Sequence, residues 1–247
     1  MYDIIGDIHS CHDEFIELLI KLGYLWIPNR FSMFHPDKRK VVLVGDITDR
    51  GWHPASVFQF VENMIEDGNL LMVKGNHDDK LQRYAKGNNV KLLHGLDLTV
   101  ERMEQAGISN ERIFNFCNKL PHFLVLDGGK LIVVHAAWKD KYIDEDPFGK
   151  RVRSWCIFGP IAGQSASGMP NRIDWAKDRI NKTPIVVHGH QPIREVRCIN
   201  GVWNIDTGCA FGGALTALGY PEMDIISINA KQVYCQREGR WGYGEET

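Results

Sequence analysis

The chain has 247 residues, 44% hydrophobic and 24% charged, with a formal net charge of -2. That is an ordinary globular composition with enough apolar material for a sizeable core, and it excludes a fibrous or disordered chain. The balance also argues against an extended nucleic-acid duplex as partner, since such binding draws on a basic surface, while a short strand end stays open.

The opening residues, Met-Tyr-Asp-Ile-Ile-Gly-Asp, lack the basic and long apolar regions of a secretory signal. Ile4–Ile5 read as a first buried strand closing on Gly6-Asp7-Ile8-His9. Residues two apart on an extended strand end share a side, so Asp7 and His9 can reach one ion. Alone, the segment reads more readily as a turn Asp beside a surface histidine. A helix follows, with Phe15, Leu18, Leu19 and Leu22 on one face, Ser10 as N-cap and Gly23 as the stop.

Val41–Val44 form a second strand that runs into Gly45-Asp46-Ile47-Thr48-Asp49-Arg50-Gly51. The flanking glycines would let backbone close around a ligand, and an Asx turn with a solvated Asp49–Arg50 pair fits equally well. A second helix is expected from Pro54 through Val57, Phe60, Val61, Met64 and Ile65 to Gly68. Leu70–Val73 then lead into Lys74-Gly75-Asn76-His77-Asp78, which offers an amide oxygen and an imidazole. Weaker helical spacing covers 78–86, 98–106, 109–119 and 173–181. Leu131–Val134 end on His135, and Ile185–Val187 on His188-Gly189-His190-Gln191-Pro192. Between them, 139–172 is irregular, with Pro147, Gly149, Pro160, Gly163, Gly168 and Pro170, and reads as an active-site loop or lid. Val202–Ile205, Leu215–Leu218, Ile225–Ile228 and Val233–Cys235 read as late strands with an antiparallel portion.

Strand–helix alternation followed by late strands gives a mixed α/β architecture of two packed sheets flanked by helices, in one domain over 1–247. No run approaches the roughly 18 apolar residues of a membrane span. The six scattered cysteines contain no Cys-x-x-Cys pair and read as buried hydrophobes of a reducing cytosol, so any metal must take oxygen and nitrogen ligands. A lone histidine at a strand end is usually structural. Five successive strand-type segments that each deliver Asp, Asn or His at the carboxyl end should converge on one crevice.

Gly-Asp-x-His at 6–9, Gly-Asp-x-x-Asp-Arg-Gly at 45–51, Gly-Asn-His-Asp at 75–78, His-Ala at 135–136 and Gly-His at 189–190 occur in the order of the calcineurin-like metallophosphoesterases. The chain resembles the phosphoprotein-phosphatase branch. Within it, the chain is most similar to bacterial asymmetric diadenosine tetraphosphatases and to the phosphatase domain of bacterial polynucleotide kinase-phosphatases. The stretches 76–81, 90–96 and 204–213 carry the closer match, and the similarity runs from Tyr2 to about Asn229. The resemblance implies a four-layer sandwich and two divalent transition-metal ions, manganese first, with nickel, iron or zinc as alternatives. It implies one ion held by Asp7, His9 and a bridging Asp46, and a second by Asp46, Asn76, His135 and His190. It makes His77 the general acid oriented by Asp49, Arg50 the grip on phosphoryl oxygens, and Arg151 a further phosphate contact. Asp206 matches an acidic position of the polynucleotide relatives, and an Asx turn into Thr207-Gly208 explains it equally well. The chain departs from the pattern at Ser10, where Gly is usual, and at His188, where an aromatic is usual.

The chemistry fits the residue types. Two cations roughly 3.5–4 Å apart neutralise an anionic ester and acidify a shared water. Mixed carboxylate, amide and imidazole donors suit Mn, Fe, Ni or Zn. A poor leaving group needs a proton, and an arginine fork stabilises equatorial charge. The expected substrate is a small phosphorylated molecule, foremost a dinucleoside tetraphosphate cleaved asymmetrically, in the cytoplasm and away from membranes. The alternatives are a Ser/Thr or Tyr protein phosphatase, a 2′,3′-cyclic phosphodiesterase or 3′-phosphatase on RNA ends, and a metal-binding regulatory module without turnover. Trp138, Trp155 and Phe158 could stack a base, though core or lid packing is the readier role for each.

Overall fold

A computed structural model describes residues 1–164, 170–237 and 241–242. Val, Ile and Leu runs with no polar alternation require strands covered on both faces, and the fold supplies that cover with two stacked sheets. The first sheet has the order β14-β13-β1-β4-β5. Its strands are β1 (Tyr2–Ile5), β4 (Lys40–Leu43), β5 (Leu70–Met72), β13 (Ala214–Tyr220) and β14 (Ile225–Asn229). The strand β4 lies parallel to β1 and β5, while β13 is antiparallel to β1 and β14.

The second sheet has the order β11-β12-β10-β7-β6. It is built from β6 (Phe123–Leu126), β7 (Leu131–Val134), β10 (Ile185–His188), β11 (Arg197–Ile199) and β12 (Val202–Asn204). Here β10 lies parallel to β7 and β12, with antiparallel strands at both edges. Short hairpins, β2 (Leu25–Trp26) with β3 (Met33–Phe34) and β8 (Ile161–Gln164) with β9 (Pro170–Arg172), lie outside the sandwich.

Three apolar clusters define the layers. Ile4, Val42, Val44, Val73, Leu131, Val133, Val187 and Leu218 fill the space between the sheets. The helices α1 (His12–Lys21), α2 (Pro54–Glu66), α4 (Leu96–Gln105) and α5 (Asn110–Asn118) pack Phe15, Phe60, Met103 and Ile113 into a common core with Leu43 and Leu215 of the first sheet. On the far side, α6 (Lys150–Phe158) joins Trp138 and Trp175 over Ile132 and Val186. The helix α3 (Asn76–Ala85) begins at the end of β5. The four layers are those expected from the resemblance. Each fully buried Phe or Leu contributes roughly 1.5–3 kcal/mol. Among the described residues, no helix is long and apolar enough to cross a membrane.

Several local expectations are corrected. Cys11, not Ser10, caps α1, because Ser10 is already bent to φ 61° to hydrogen-bond across to Ile47. The segment 139–172 contains a helix: Gly149 and Gly159 bound α6 instead of dissolving it. Gly168 lies outside the described residues. Residues 173–181 form turns, since Asp174 is drawn to Arg197 and the Trp175 indole donates to the Ala136 carbonyl. Val233 makes one isolated bridge to Phe211 where a strand was expected, and β12 joins the second sheet, parallel to β10.

Candidate metal and acid–base site

The parallel strands β1, β4 and β5 all end on the same edge of the first sheet, and β7 and β10 end on the matching edge of the second. Both Asp7 and His9 follow β1 and are buried. After β4 the chain turns sharply, with φ of 52° at Asp46, 69° at Asp49 and 66° at Arg50. His9 (45°) and His190 (68°) share this left-handed backbone. Such conformations cost of order 1–3 kcal/mol each and persist only where surroundings fix them. Here they do. The Asp46 amide donates to the Asp78 carboxylate at 2.8 Å, as does the Gly75 amide, and the His9 amide donates to the Asp46 carbonyl at 2.9 Å.

Asp46 sits at the start of α3, whose His77 amide donates to Asp46 Oδ1 at 2.8 Å, so a helix N-terminus faces a carboxylate. Its other oxygen looks across the seam. Oδ2 of Asp46 lies 3.4 Å from Nε2 of His135 and 3.8 Å from Nε2 of His9, which is itself 3.9 Å from Asp7. The same His135 nitrogen is 3.1 Å from the Asn76 amide oxygen and 3.0 Å from Nδ1 of His190. Backbone amide 190 donates to both Asp7 oxygens at 3.2 Å.

Proton bookkeeping tests whether a cation fits. Nδ1 of His135 is 2.8 Å from the Val44 carbonyl, which can only accept, so the proton sits on Nδ1 and Nε2 presents a lone pair. That nitrogen faces two oxygen acceptors, a gathering that is repulsive unless a cation, or a second proton on the ring, joins it. Nδ1 of His9 meets the Thr48 carbonyl at 2.9 Å and is fixed the same way. Nε2 of His190 is buried without a hydrogen-bond partner. The donor set therefore fits hard or borderline divalent ions.

Electrostatics show the same demand for positive charge, which a proton on His135 meets when no ion is bound. Burial, then Asp206, push the Asp7 carboxyl well up, against a downward pull from His135 and with a smaller push from Asp46. Burial opposes charge on His135, but Asp46 and Asp7 outweigh it and lift the imidazole to about 9. Burial likewise opposes charge on Asp46, yet His135 and His77 hold it well below the usual carboxylate range. Burial, followed by Arg50, lowers His9, and burial followed by Arg172 lowers His190. Close backbone approach is required at two glycines: a methyl on Gly75 would fall 2.0 Å from Asp46 Oδ1, and one on Gly189 2.0 Å from Asp7 Oδ1.

Beside this cluster stands a second arrangement. Nδ1 of His77 is 2.5 Å from Asp49, whose other oxygen accepts from the Thr99 hydroxyl at 2.7 Å. Arg50 donates to Nε2 of His9 at 2.7 Å and to Nε2 of His77 at 3.1 Å, spanning both groups.

Nine of the ten residues singled out from sequence thus meet at one seam: Asp7, His9, Asp46, Asp49, Arg50, Asn76, His77, His135 and His190. Arg151 does not join them. It lies on α6, 70% exposed, and pairs with Glu145 at 2.7 Å. His188 is buried against Trp175 with Nδ1 3.0 Å from the Gly189 carbonyl, and burial holds it down to about 4. Asp206 forms the Asx turn, accepting from the Gly208 amide at 3.0 Å, and burial raises it to about 6. Trp138 packs on Phe123 and Tyr142, Trp155 carries Lys139, and Phe158 lies under Arg153.

Sequence reading missed Asp78 and Thr99. Asp78 was findable as the acidic third residue of a helix that opens on Gly75, where it caps its own helix and ties down the β4 turn. Thr99 carries no local signal, because it reaches Asp49 from fifty positions away.

The family profile for calcineurin-like phosphoesterases matches residues 2–227. The chain is 39% identical over 246 residues to the bis(5′-nucleosyl)-tetraphosphatase PrpE [asymmetrical] of Anoxybacillus flavithermus, covering 97% of this chain and 98% of the relative. Among solved structures it is similar to one provisionally assigned as a diadenosine tetraphosphatase, with a TM-score of 0.65, 21% identity and 93% of each chain covered. It is also similar in fold to a protein serine/threonine phosphatase from Saccharomyces cerevisiae, with a TM-score of 0.61 and 15% identity over 94% of this chain and 80% of that one.

Proposed function

The chain belongs to the calcineurin-like phosphoesterases, metal-dependent hydrolases, and from that premise we propose that it cleaves a dinucleoside tetraphosphate asymmetrically into a nucleoside triphosphate and a nucleoside monophosphate. In this reading residues 1–247 act as one domain in the cytosol, a setting supported by six free cysteines. Asp7, His9 and Asp46 hold one divalent ion, and Asp46, Asn76, His135 and His190 hold the second. Manganese is our first choice. The observation that carries the site is the convergence of lone pairs from both sheets around Asp46 Oδ2, with His135 Nε2 at 3.4 Å and His9 Nε2 at 3.8 Å. The observation that carries the substrate is 39% identity along nearly the whole length of a named tetraphosphatase.

When bound, the two cations neutralise the anionic substrate and acidify the attacking water. The remaining work falls to side chains of this chain. The fork of Arg50 stabilises equatorial oxygens of the phosphoryl group, and its hydrogen bond to Nε2 of His9 would be given up where His9 holds an ion. Asp49 holds the Nδ1 side of His77, leaving Nε2 to hand a proton to the departing oxygen. Thr99 locks Asp49 in turn.

A second reading, a protein phosphatase acting on seryl, threonyl or tyrosyl phosphate, draws support from that same 2.5 Å His77–Asp49 contact, since an alkoxide needs the acid far more than a nucleotide does. One sample with Mn²⁺, assayed in parallel on diadenosine tetraphosphate, a phosphopeptide and a 2′,3′-cyclic nucleotide, decides between the readings. ATP and AMP in equal amounts, at an efficiency at least about ten-fold above the other two substrates, is the expected result. Preference for either other substrate replaces the leading reading, and silence on all three favours a module without turnover.

A further inference from the structure

One loop walls the acid side of the site. Residues 86–95 join α3 to α4 with turns alone, where packed helices are usually connected by about 2–8 residues. Both flanking helices hold the acid pair. His77 lies in the first turn of α3, and Thr99 of α4 donates its hydroxyl to Asp49 at 2.7 Å.

The loop is pinned at two points. Gly95, at φ 91°, packs so closely on the turn carrying Asp49 and Arg50 that a methyl there would collide with the Arg50 amide nitrogen and lie 3.2 Å from the Asp49 carbonyl carbon. Lys80 stands three residues beyond His77 on α3, a spacing that makes the two neighbours on the helix surface. Its ammonium donates to the Leu93 carbonyl at 2.8 Å. That ammonium also senses the acid pair, since burial lowers it and Asp49 is the foremost opposing pull.

The pinned backbone presents apolar side chains to solvent. Leu92 is 45% exposed and Leu93 52%, with exposed Lys91 and His94 on either side. A single exposed leucine needs no explanation. Here two adjacent ones stand on a loop fixed to the backbone of the arginine that grips phosphate. The loop also keeps His94 at φ 64°, a left-handed conformation that costs about 1–3 kcal/mol. A phosphoryl group has no use for leucine. A nucleoside beyond the scissile bond does, because base and ribose offer apolar faces, and ligand sites combine apolar walls with a few polar grips. His77 marks the departing side, and the loop lies on that side.

We infer that Leu92 and Leu93 contact the nucleoside of the departing nucleotide, and that Lys80 positions them through the Leu93 carbonyl. The inference rests on the proposed dinucleoside tetraphosphatase reading and deepens it by assigning residues to nucleoside recognition on the leaving side.

The test compares ATP with inorganic tripolyphosphate as inhibitors of nitrophenyl phosphate hydrolysis, with free Mn²⁺ held constant. The two anions share three linked phosphates and differ by the nucleoside. The double variant L92A/L93A should weaken ATP inhibition about five- to ten-fold and tripolyphosphate inhibition less than about two-fold. K80A should weaken ATP inhibition about three-fold at unaltered tripolyphosphate inhibition, and K80R should restore it. Equal weakening for both anions, or unaltered ATP inhibition, in the double variant overturns the contact. Equal weakening for both anions in K80A makes Lys80 a direct phosphate ligand and overturns its positioning role. Weaker binding of a phosphopeptide by the double variant at unaltered ATP inhibition assigns the loop to a peptide and overturns the inference as well. Both leucines are exposed, so the double variant should melt with the natural protein. If it melts lower, L92A and L93A are read singly by the same criteria. ATP inhibition is read without cleavage of any dinucleotide. Selective loss for ATP in a protein that fails to cleave diadenosine tetraphosphate therefore upholds the contact and removes the substrate reading. The reverse pattern removes the contact alone.

Discussion

The two sheets serve the site in different ways. The first delivers Asp46, Asp49, Arg50 and His9 on turns bent into left-handed backbone, and braces them with Asp78, Thr99 and the amides of α3. The second delivers His135 straight from the end of β7, while His190 follows β10 by two residues. The opposite sheet holds both in place, since the Val44 carbonyl fixes the His135 ring and Asp7 receives the His190 backbone amide. One half therefore builds its own strained cradle, and the other closes it. The carboxylate candidates and the acid–base pair belong to the cradle, and the closure contributes imidazoles alone.

This division can be tested by breaking each half. Asp46→Asn removes the carboxylate whose Oδ2 lies within 4 Å of imidazoles from both sheets, so we expect loss of both ions and at least a ~10³-fold fall in kcat/KM. His190→Ala should release one ion and retain the other. Metal content measured by mass spectrometry distinguishes the two, and equal stoichiometry in both variants would remove Asp46 as the bridge.

Within the cradle, His77→Asn should lower turnover of a seryl phosphate ~10²–10⁴-fold while sparing nitrophenyl phosphate to within about ten-fold, because phenolate leaves without a proton. Equal losses on both substrates would end the assignment of His77 as acid. A smaller effect is expected one contact further out. Thr99→Val leaves Asp49 Oδ1 without its hydroxyl donor, and should cost about 1–2 kcal/mol in stability with a several-fold drop in kcat for the seryl substrate.

On the closing side, His122 precedes β6 and is buried, and burial, then Lys74 and Arg153, depress it to about 4. A histidine that stays neutral in the fold but charges at its ordinary value of 6.5 when unfolded gives the unfolded chain the extra proton. Stability should therefore fall as pH drops from 6.5 towards 4, by at most about 2–3 kcal/mol from this group, and the loss should level off below 4. Chemical denaturation across that range checks it: His122→Gln should flatten the slope, and an unaltered slope would exclude His122 as its source.

Much of this was legible before any coordinates. Apolar runs ending in Asp, Asn or His announced both the parallel strands and the crevice, because a strand covered on both faces must put its polar chemistry at its end. Pro54 and Gly23 marked helix limits through backbone preferences that need no tertiary partner. What escaped reading depends on distant partners. Ser10 resembles a cap by type but is spent on Ile47, α6 hides between glycines that bound it, and the pairing of Arg151 with Glu145 has no sequence signal.

The layer between the sheets acts as a caliper. Facing strand ends carry opposite jaws of the candidate ion site, and the gap between them is filled by Val42, Val44, Val133 and Val187, which carry no polar side-chain atom. Stacked sheets settle about 10 Å apart according to the side chains they enclose. Shaving two methyls from that filling, as in Val133→Ala, leaves every ligand in place, yet should let the jaws drift. The damage should register in Mn²⁺ affinity, measured by calorimetry, as well as in the melting temperature.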